Sequence, residues 1–374
     1  MTKIIEEEES FSNDDLFNIT SWGADLSFRE LISMYDDNDL IKPDLQRKYV
    51  WSIEEASRLI DSILLGLPIP SIFLAKKEEK RLIIDGYQRI KTVYDFVYGI
   101  FEKTGKIFKL SNSKIINERW RGKAFKELTD DEQRRIRNTT IHAIIFEQKR
   151  PNNDSGMYQI FERINTSGRT LSSQEIRNCI YYGNYNNMLM VLNKNIIWRK
   201  LLNCGEDSRM VDVENILRFF AIKNLENTPD YFKNQIILKK YLNENMSINS
   251  NLSSEECQKY SDLFIKIIEK VYEVLGDVAF KNISYKKDKD DNYIYSDHFV
   301  NKFHPTIYEA VMMSFYYALE KKLDFSKVKS NHLNLLNDTE FRESISVRTT
   351  NIETIKKRIS IATKYFFGVD YEWK

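Results

Sequence analysis

The sequence predicts an α+β fold, with a mixed αβ core followed by a mostly α-helical C-terminal half. Three observations carry that expectation. Glycine and proline are scarce, 12 and 6 in 374 residues, so few breakers interrupt regular elements. Short apolar runs of strand type at Ser71–Ala75, Arg81–Ile84 and Thr139–Phe146 alternate with helical stripes. From about Asp154 onward strand signals fade, and the apolar spacing of Val213–Ile222, Tyr231–Leu242, Tyr260–Val274, Ile307–Leu319 and Ile352–Tyr365 is helical throughout. Two domains are expected after an acidic, disordered tail over 1–20: an αβ core over 21–150 and a helical domain over 151–374.

Each element has a local reason. Ser52-x-x-Glu55 is a capping box, and Ala56, Leu59, Ile60, Ile63, Leu64 and Leu67 then recur at helical spacing. Leu67-Pro68-Ile69-Pro70 stops that helix, because each proline disfavours helical geometry in the residue before it. A polar turn at Lys76–Lys80 separates two strands, and Ile90, Val93, Tyr94 and Val97 mark the next helix. Thr129-x-x-Glu132 and Ser172-x-x-Glu175 are further capping boxes, the second opening a helix through Tyr181. The run around KKDKDD, Tyr285–Tyr293, has the charge density of a solvated loop.

Composition excludes several classes. Hydrophobic residues at 42%, with 22 Phe and 21 Tyr, are too many for an intrinsically disordered chain. A formal net charge of +1 gives no global pull toward a polyanion, so any DNA contact must use a local patch. Three cysteines without a CxxC pair fit a reducing cytoplasm. No apolar run of membrane-spanning length occurs, and the acidic start is unlike a signal peptide, so a cytoplasmic location without membrane attachment is expected.

Chemistry concentrates in Asp85-Gly86-Tyr87-Gln88-Arg89. Gly86 permits a tight strand-to-helix turn, which leaves unpaired N–H groups and the positive helix end facing outward. That geometry suits a phosphate. Arg89 can clamp phosphate in bidentate fashion, Asp85 can hold magnesium or orient a water, and Gln88 can position a nucleophile. The competing reading makes Asp85 an N-cap and Arg89 a surface residue. Gln46 and Arg47, before the first capped helix, offer further phosphate donors or a loop salt bridge.

Four ordered motifs accompany this segment: Gln46-Arg47-Lys48-Tyr49-Val50-Trp51, Leu65-Gly66-Leu67-Pro68-Ile69-Pro70, Phe161-Glu162-Arg163-Ile164-Asn165-Thr166-Ser167-Gly168, and Leu171-Ser172-Ser173-Gln174-Glu175-Ile176-Arg177-Asn178. Over roughly residues 25–245 the chain resembles the GmrS-like domain family, the N-terminal part of GmrSD-type modification-dependent restriction enzymes. The resemblance implies a ParB-like, sulfiredoxin-like core with nucleoside triphosphate hydrolysis centred on Asp85, Gln88 and Arg89. It implies that Gln46, Arg47, Gly86, Arg163, Asn165, Thr166 and Ser167 line the same pocket, with residues 151–182 completing it and Arg177 a weaker member. A helix C-cap at Gly168 explains the Asn-Thr-Ser-Gly loop equally well. Tyr87 stands where the family usually has Gln, which leaves the base open among GTP, ATP and CTP. Mg2+ is implied by phosphate chemistry. Members commonly serve in defence against foreign or modified DNA, so DNA is the expected partner.

Arg119-Trp120-Arg121-Gly122-Lys123 interleaves charge with an aromatic ring, as base stacking beside phosphate requires, although a buried tryptophan with snorkelling neighbours has the same composition. The GmrSD-type HNH nuclease needs metal-binding histidines, yet among four histidines only Asp297-His298, Asn301 and His304 lie close in sequence. That group lacks paired ligands, and Asn301–Pro305 reads as the loop opening a helix. No metal site is assigned, and any cutting activity is expected in a separate nuclease subunit. The alternatives to an NTPase are a non-enzymatic DNA-binding module, whose arginines would contact backbone phosphates, and a ParB-like nickase.

Overall fold

A computed structural model of the chain describes residues 19–41, 49–149, 155–164, 171–207, 209–225, 237–287 and 293–373. They fall into two compact units that divide between Ile180 and Tyr181. The first contains β1 (Ile19–Ser27), α1 (Phe28–Asp36), β2 (Leu40–Ile41), α2 (Ile53–Leu65), β3 (Ile72–Lys77), β4 (Lys80–Asp85), α3 (Tyr87–Tyr98), β5 (Ile100–Phe101), β6 (Lys106–Ile107), α4 (Asp130–Asn138), β7 (Thr140–Gln148), α5 (Ser155–Ile164) and α6 (Ser173–Ile180).

The main sheet of this unit has the order β1-β7-β3-β4-β2. β1 runs antiparallel to β7, β3 lies parallel to β7 and antiparallel to β4, and β2 lies parallel to β4. One face sends Ile72, Leu74, Ile83, Ile141, Ala143 and Ile145 into a core shared with α1, α2, α3 and α4, the alternation a strand produces when one face is packed. Leu82, Ile84, Ala75 and Phe146 are also buried. α5 and α6 pack on β7 and β4, which explains why β4 is apolar at consecutive positions. These two helices therefore group with the sheet.

The capping boxes form as the sequence predicts. Ser52 and Glu55 exchange bonds of 2.7 and 3.2 Å, and Ser172 and Glu175 exchange bonds of 2.6 and 3.1 Å. β1 was not expected: its side chains are mostly exposed, so an edge strand begins at Ile19 without an apolar alternation to reveal it.

The second unit contains α7 (Asn184–Asn193), α8 (Ile196–Leu202), α9 (Val211–Lys223), α10 (Leu238–Asn249), α11 (Ser254–Leu275), β8 (Lys281–Lys287), β9 (Tyr293–Phe303), α12 (Pro305–Lys321), α13 (Val328–Asn337), α14 (Thr339–Ser346) and α15 (Ile352–Phe367). It is mostly helical, around an aromatic cluster in which Trp198 meets Phe264, Phe303 and Tyr308. The mostly helical half is as expected, but the solvated loop expected over Tyr285–Tyr293 is corrected by the antiparallel pair β8 and β9. Its charged centre, 288–292, lies outside the described residues, while the Tyr- and Ile-rich flanks pair as strands. Asn301 to Phe303 likewise end β9 instead of forming a loop.

Candidate functional site: the β4–α3 turn

β4 carries one residue more than β3 at its end, since Leu74 pairs with Ile83 and Phe73 with Asp85. The chain then turns at Gly86, with φ of 105°. A Cβ there would lie 2.2 Å from Ile72 Cγ2, so the turn needs glycine both for its backbone and for the closeness of β3. No side chain caps α3, and its first turn holds no acidic residue. Gly86 thus offers the helix start no capping side chain, and no first-turn carboxylate offsets the positive end of the helix.

Asp85 is not an N-cap. Its carboxylate, about half exposed, accepts from Arg89 Nη2 at 2.6 Å. The same Nη2 donates to the Ser71 carbonyl at 3.1 Å. Arg89 is mostly buried, and its Nε finds no acceptor among the described residues. The guanidinium is thus anchored at one nitrogen and retains donor capacity at another.

Gln88 is half-buried, and its Oε1 accepts the N–H groups of Val50 and Trp51 at 3.1 and 3.4 Å. Three more bonds fasten that segment. Tyr49 Oη and Thr92 Oγ1 lie 2.6 Å apart, and Lys103 Nζ donates to the carbonyls of Val50 and Trp51 at 2.7 and 3.2 Å. Gln88 therefore holds the chain that leads from Gln46 and Arg47 against the first turn of α3. Gln46 and Arg47 themselves lie outside the described residues, as do Asn165, Thr166 and Ser167.

Arg163 stands exposed near the end of α5. Arg177 is buried at 1% exposure and donates to Gln174 Oε1 at 3.0 Å, so it serves the packing of α6. Sequence reasoning missed Ser71, Thr92 and Lys103. Thr92, four residues after Gln88 on the same helical face, was the one with a local signal. Lys103 and Ser71 act only through tertiary contact.

The Arg119–Lys123 segment is turned inward in part. Trp120 is 5% exposed and donates its indole N–H to Asp61 at 2.7 Å, which removes its ring as a stacking platform. Arg121 donates twice to the Ile116 carbonyl, at 3.1 and 2.7 Å. Arg119 pairs with Glu132 at 2.9 Å, and Lys123 is half-exposed.

Of the histidines, His142 pairs with Asp25 across β1 and β7 at 2.8 Å. Burial pushes His304 down to about 4, and its Nδ1 lies 3.0 Å from Thr306 Oγ1. No group of three potential metal ligands occurs among the described residues, and no described helix is long and apolar enough to cross a membrane.

The fold and the turn together define an α+β domain built around an uncapped helix start with an arginine fixed beside it. Residues 28–182 match the sequence model of the GmrSD restriction endonuclease N-terminal domain. Over that stretch, less than half of its length, the chain is similar to a GmrSD-type N-terminal domain. The match runs from the start of α1 to two residues past the end of α6, so it covers the αβ unit except β1 and is narrower than the 25–245 span of the motif resemblance. No curated protein matches the sequence.

Proposed function

We propose that the αβ unit binds a nucleoside triphosphate at the β4–α3 turn and hydrolyses it, as the regulatory component of a DNA-directed defence system of the restriction type. The observation that carries this reading is the N terminus of α3, which the left-handed Gly86 leaves without a side-chain cap, with Arg89 anchored alongside. A helix start without a side-chain cap, a positive macrodipole end and a guanidinium converge on phosphate more naturally than on a neutral ligand.

In this reading Arg89 neutralises phosphate charge, with Arg47 and Arg163 as further candidates. Asp85, exposed and singly paired, is the carboxylate that would share Mg2+ with the phosphates, since magnesium is commonly held by one or two carboxylates plus substrate oxygens. Gln88 is a positioning residue: its oxygen is committed to Val50 and Trp51, leaving only its NH2 for a ligand. Cleavage itself would fall to a separate nuclease subunit.

The test is phosphate release from each of the four ribonucleoside triphosphates with Mg2+, with and without DNA, for the native chain and for Asp85→Ala and Arg89→Ala. The expected result is release from at least one nucleotide, falling about 100- to 1,000-fold in Arg89→Ala, the usual loss when one charge-stabilising donor is removed. No release under any condition sinks the proposal. DNA affinity that falls steeply with salt and ignores nucleotide would then favour the non-enzymatic DNA-binding module.

A further inference from the structure

β1 is one edge of the main sheet, and β2, the other edge, is only two residues long. The sheet therefore offers one long edge. β1 pairs with β7 at nine consecutive positions without a bulge. Just past its end the Phe28 N–H donates to the Thr139 carbonyl at 3.1 Å in the same register. The alternation of an antiparallel ladder then turns the backbone groups of Thr20, Trp22, Ala24 and Leu26 toward β7 and those of Ser21, Gly23 and Asp25 outward. Among the described residues no other backbone group bonds to these three.

Long edges are usually blunted by proline, lysine or a bulge, and β1, with the sequence ITSWGADLS, has none of them. Its one charged residue, Asp25, accepts from His142 Nδ1 of β7 at 2.8 Å. Trp22 stands on the same face as Ala24 and Leu26, which pack partly against the core. It is 40% exposed, the most exposed of the described tryptophans, and tryptophan is a side chain that interfaces bury at their centres.

We propose that this edge is the contact between two copies of the chain, with the two β1 strands antiparallel about a two-fold axis through Gly23, so that two five-stranded sheets become one. The occupant follows from the strand's own order of residues. With Gly23 opposite Gly23 of the second copy, every residue of β1 takes part, and the outward groups of Ser21 meet those of Asp25. Trp22 then stands opposite Ala24, a large ring over a small side chain, and the Ser21 hydroxyl can donate to the Asp25 carboxylate. Moving the axis to Asp25 would set two carboxylates opposite each other, and moving it at all leaves residues at one end unpaired. β7 and β3 separate this edge from β4, and the inference does not rest on the nucleotide reading.

A strand pair buries little area, so the dimer is weak. Sedimentation of the full chain from about 1 to 200 µM, the range such a contact implies, is expected to show reversible monomer–dimer exchange. Ser21→Asp sets a like charge opposite Asp25 at two symmetric places and should weaken the dimer about tenfold or more, while Ser21→Lys sets an opposite charge there and should tighten it. Ser21 is exposed, so both variants should melt within about 2 °C of the native chain. Hydrogen exchange on the native chain needs no variant: the amides of Ser21, Gly23 and Asp25 should slow as concentration rises. A monomer throughout the range, a dimer that Ser21→Asp and Ser21→Lys alter alike, or exchange at those three amides that ignores concentration overturns the proposal.

Discussion

Gly86→Ala isolates what the β4–α3 turn costs to build. A Cβ at this position meets Ile72 Cγ2 at 2.2 Å and Ile72 Cβ at 2.8 Å, on backbone with φ of 105°. The positive φ alone costs a non-glycine residue about 1–2 kcal/mol, and forcing a methyl group into packed surroundings adds about 1–3 kcal/mol. The expected destabilisation is therefore about 2–5 kcal/mol, a fall in Tm of roughly 5–15 °C for a unit of this size. Gly99, at the other end of α3, is the internal control. Its φ is 90°, and a Cβ there meets nothing within 4 Å, so Gly99→Ala should cost only the backbone part. Melting both variants beside the native chain, with stability also taken from urea midpoints, separates strain from collision. If the two variants differ by less than about 0.5 kcal/mol, the close approach of Ile72 is not what demands glycine at the turn.

Two further outcomes follow from the same contacts. Burial pushes both His304 and His332 down to about 4, so the unfolded chain binds their protons first as pH falls below about 6.5. Stability is fully present above that pH and is lost toward pH 4, at about 1.4 kcal/mol per pH unit for each histidine; His332→Phe, which keeps a ring beside Phe299, should roughly halve this slope in acid titrations of stability, and an unchanged slope would refute the assignment. Gln88→Leu removes the acceptor of the Val50 and Trp51 N–H groups, whereas Gln88→Glu keeps one. Hydrogen exchange at those two amides should accelerate in the first variant and stay slow in the second, and equal protection in both would show that Gln88 does not hold the segment.

Local signals along the chain determined much of this protein. The Ser52, Thr129 and Ser172 capping boxes, the prolines after Leu67 and the apolar periods of α2, α3, α9, α11, α12 and α15 are short-range effects, and each was legible without coordinates. So was Asp85-Gly86 as a strand-to-helix turn, because glycine at that junction has a local cause. Tertiary structure decided what lacked a local cause. β1 shows no apolar alternation because it is an edge strand with little burial, and the strands flanking the KKDKDD run are recognisable only from their pairing. Trp120 could have faced a base or the core until Asp61, 59 positions away in sequence, took its N–H. Within the turn itself, sequence named Asp85, Gln88 and Arg89, but their partners Ser71, Val50 and Trp51 are set by long-range packing. The physical reason is the same throughout: periodicity and capping are written in neighbouring residues, whereas the direction a polar side chain takes depends on which distant backbone groups the fold leaves for it to satisfy.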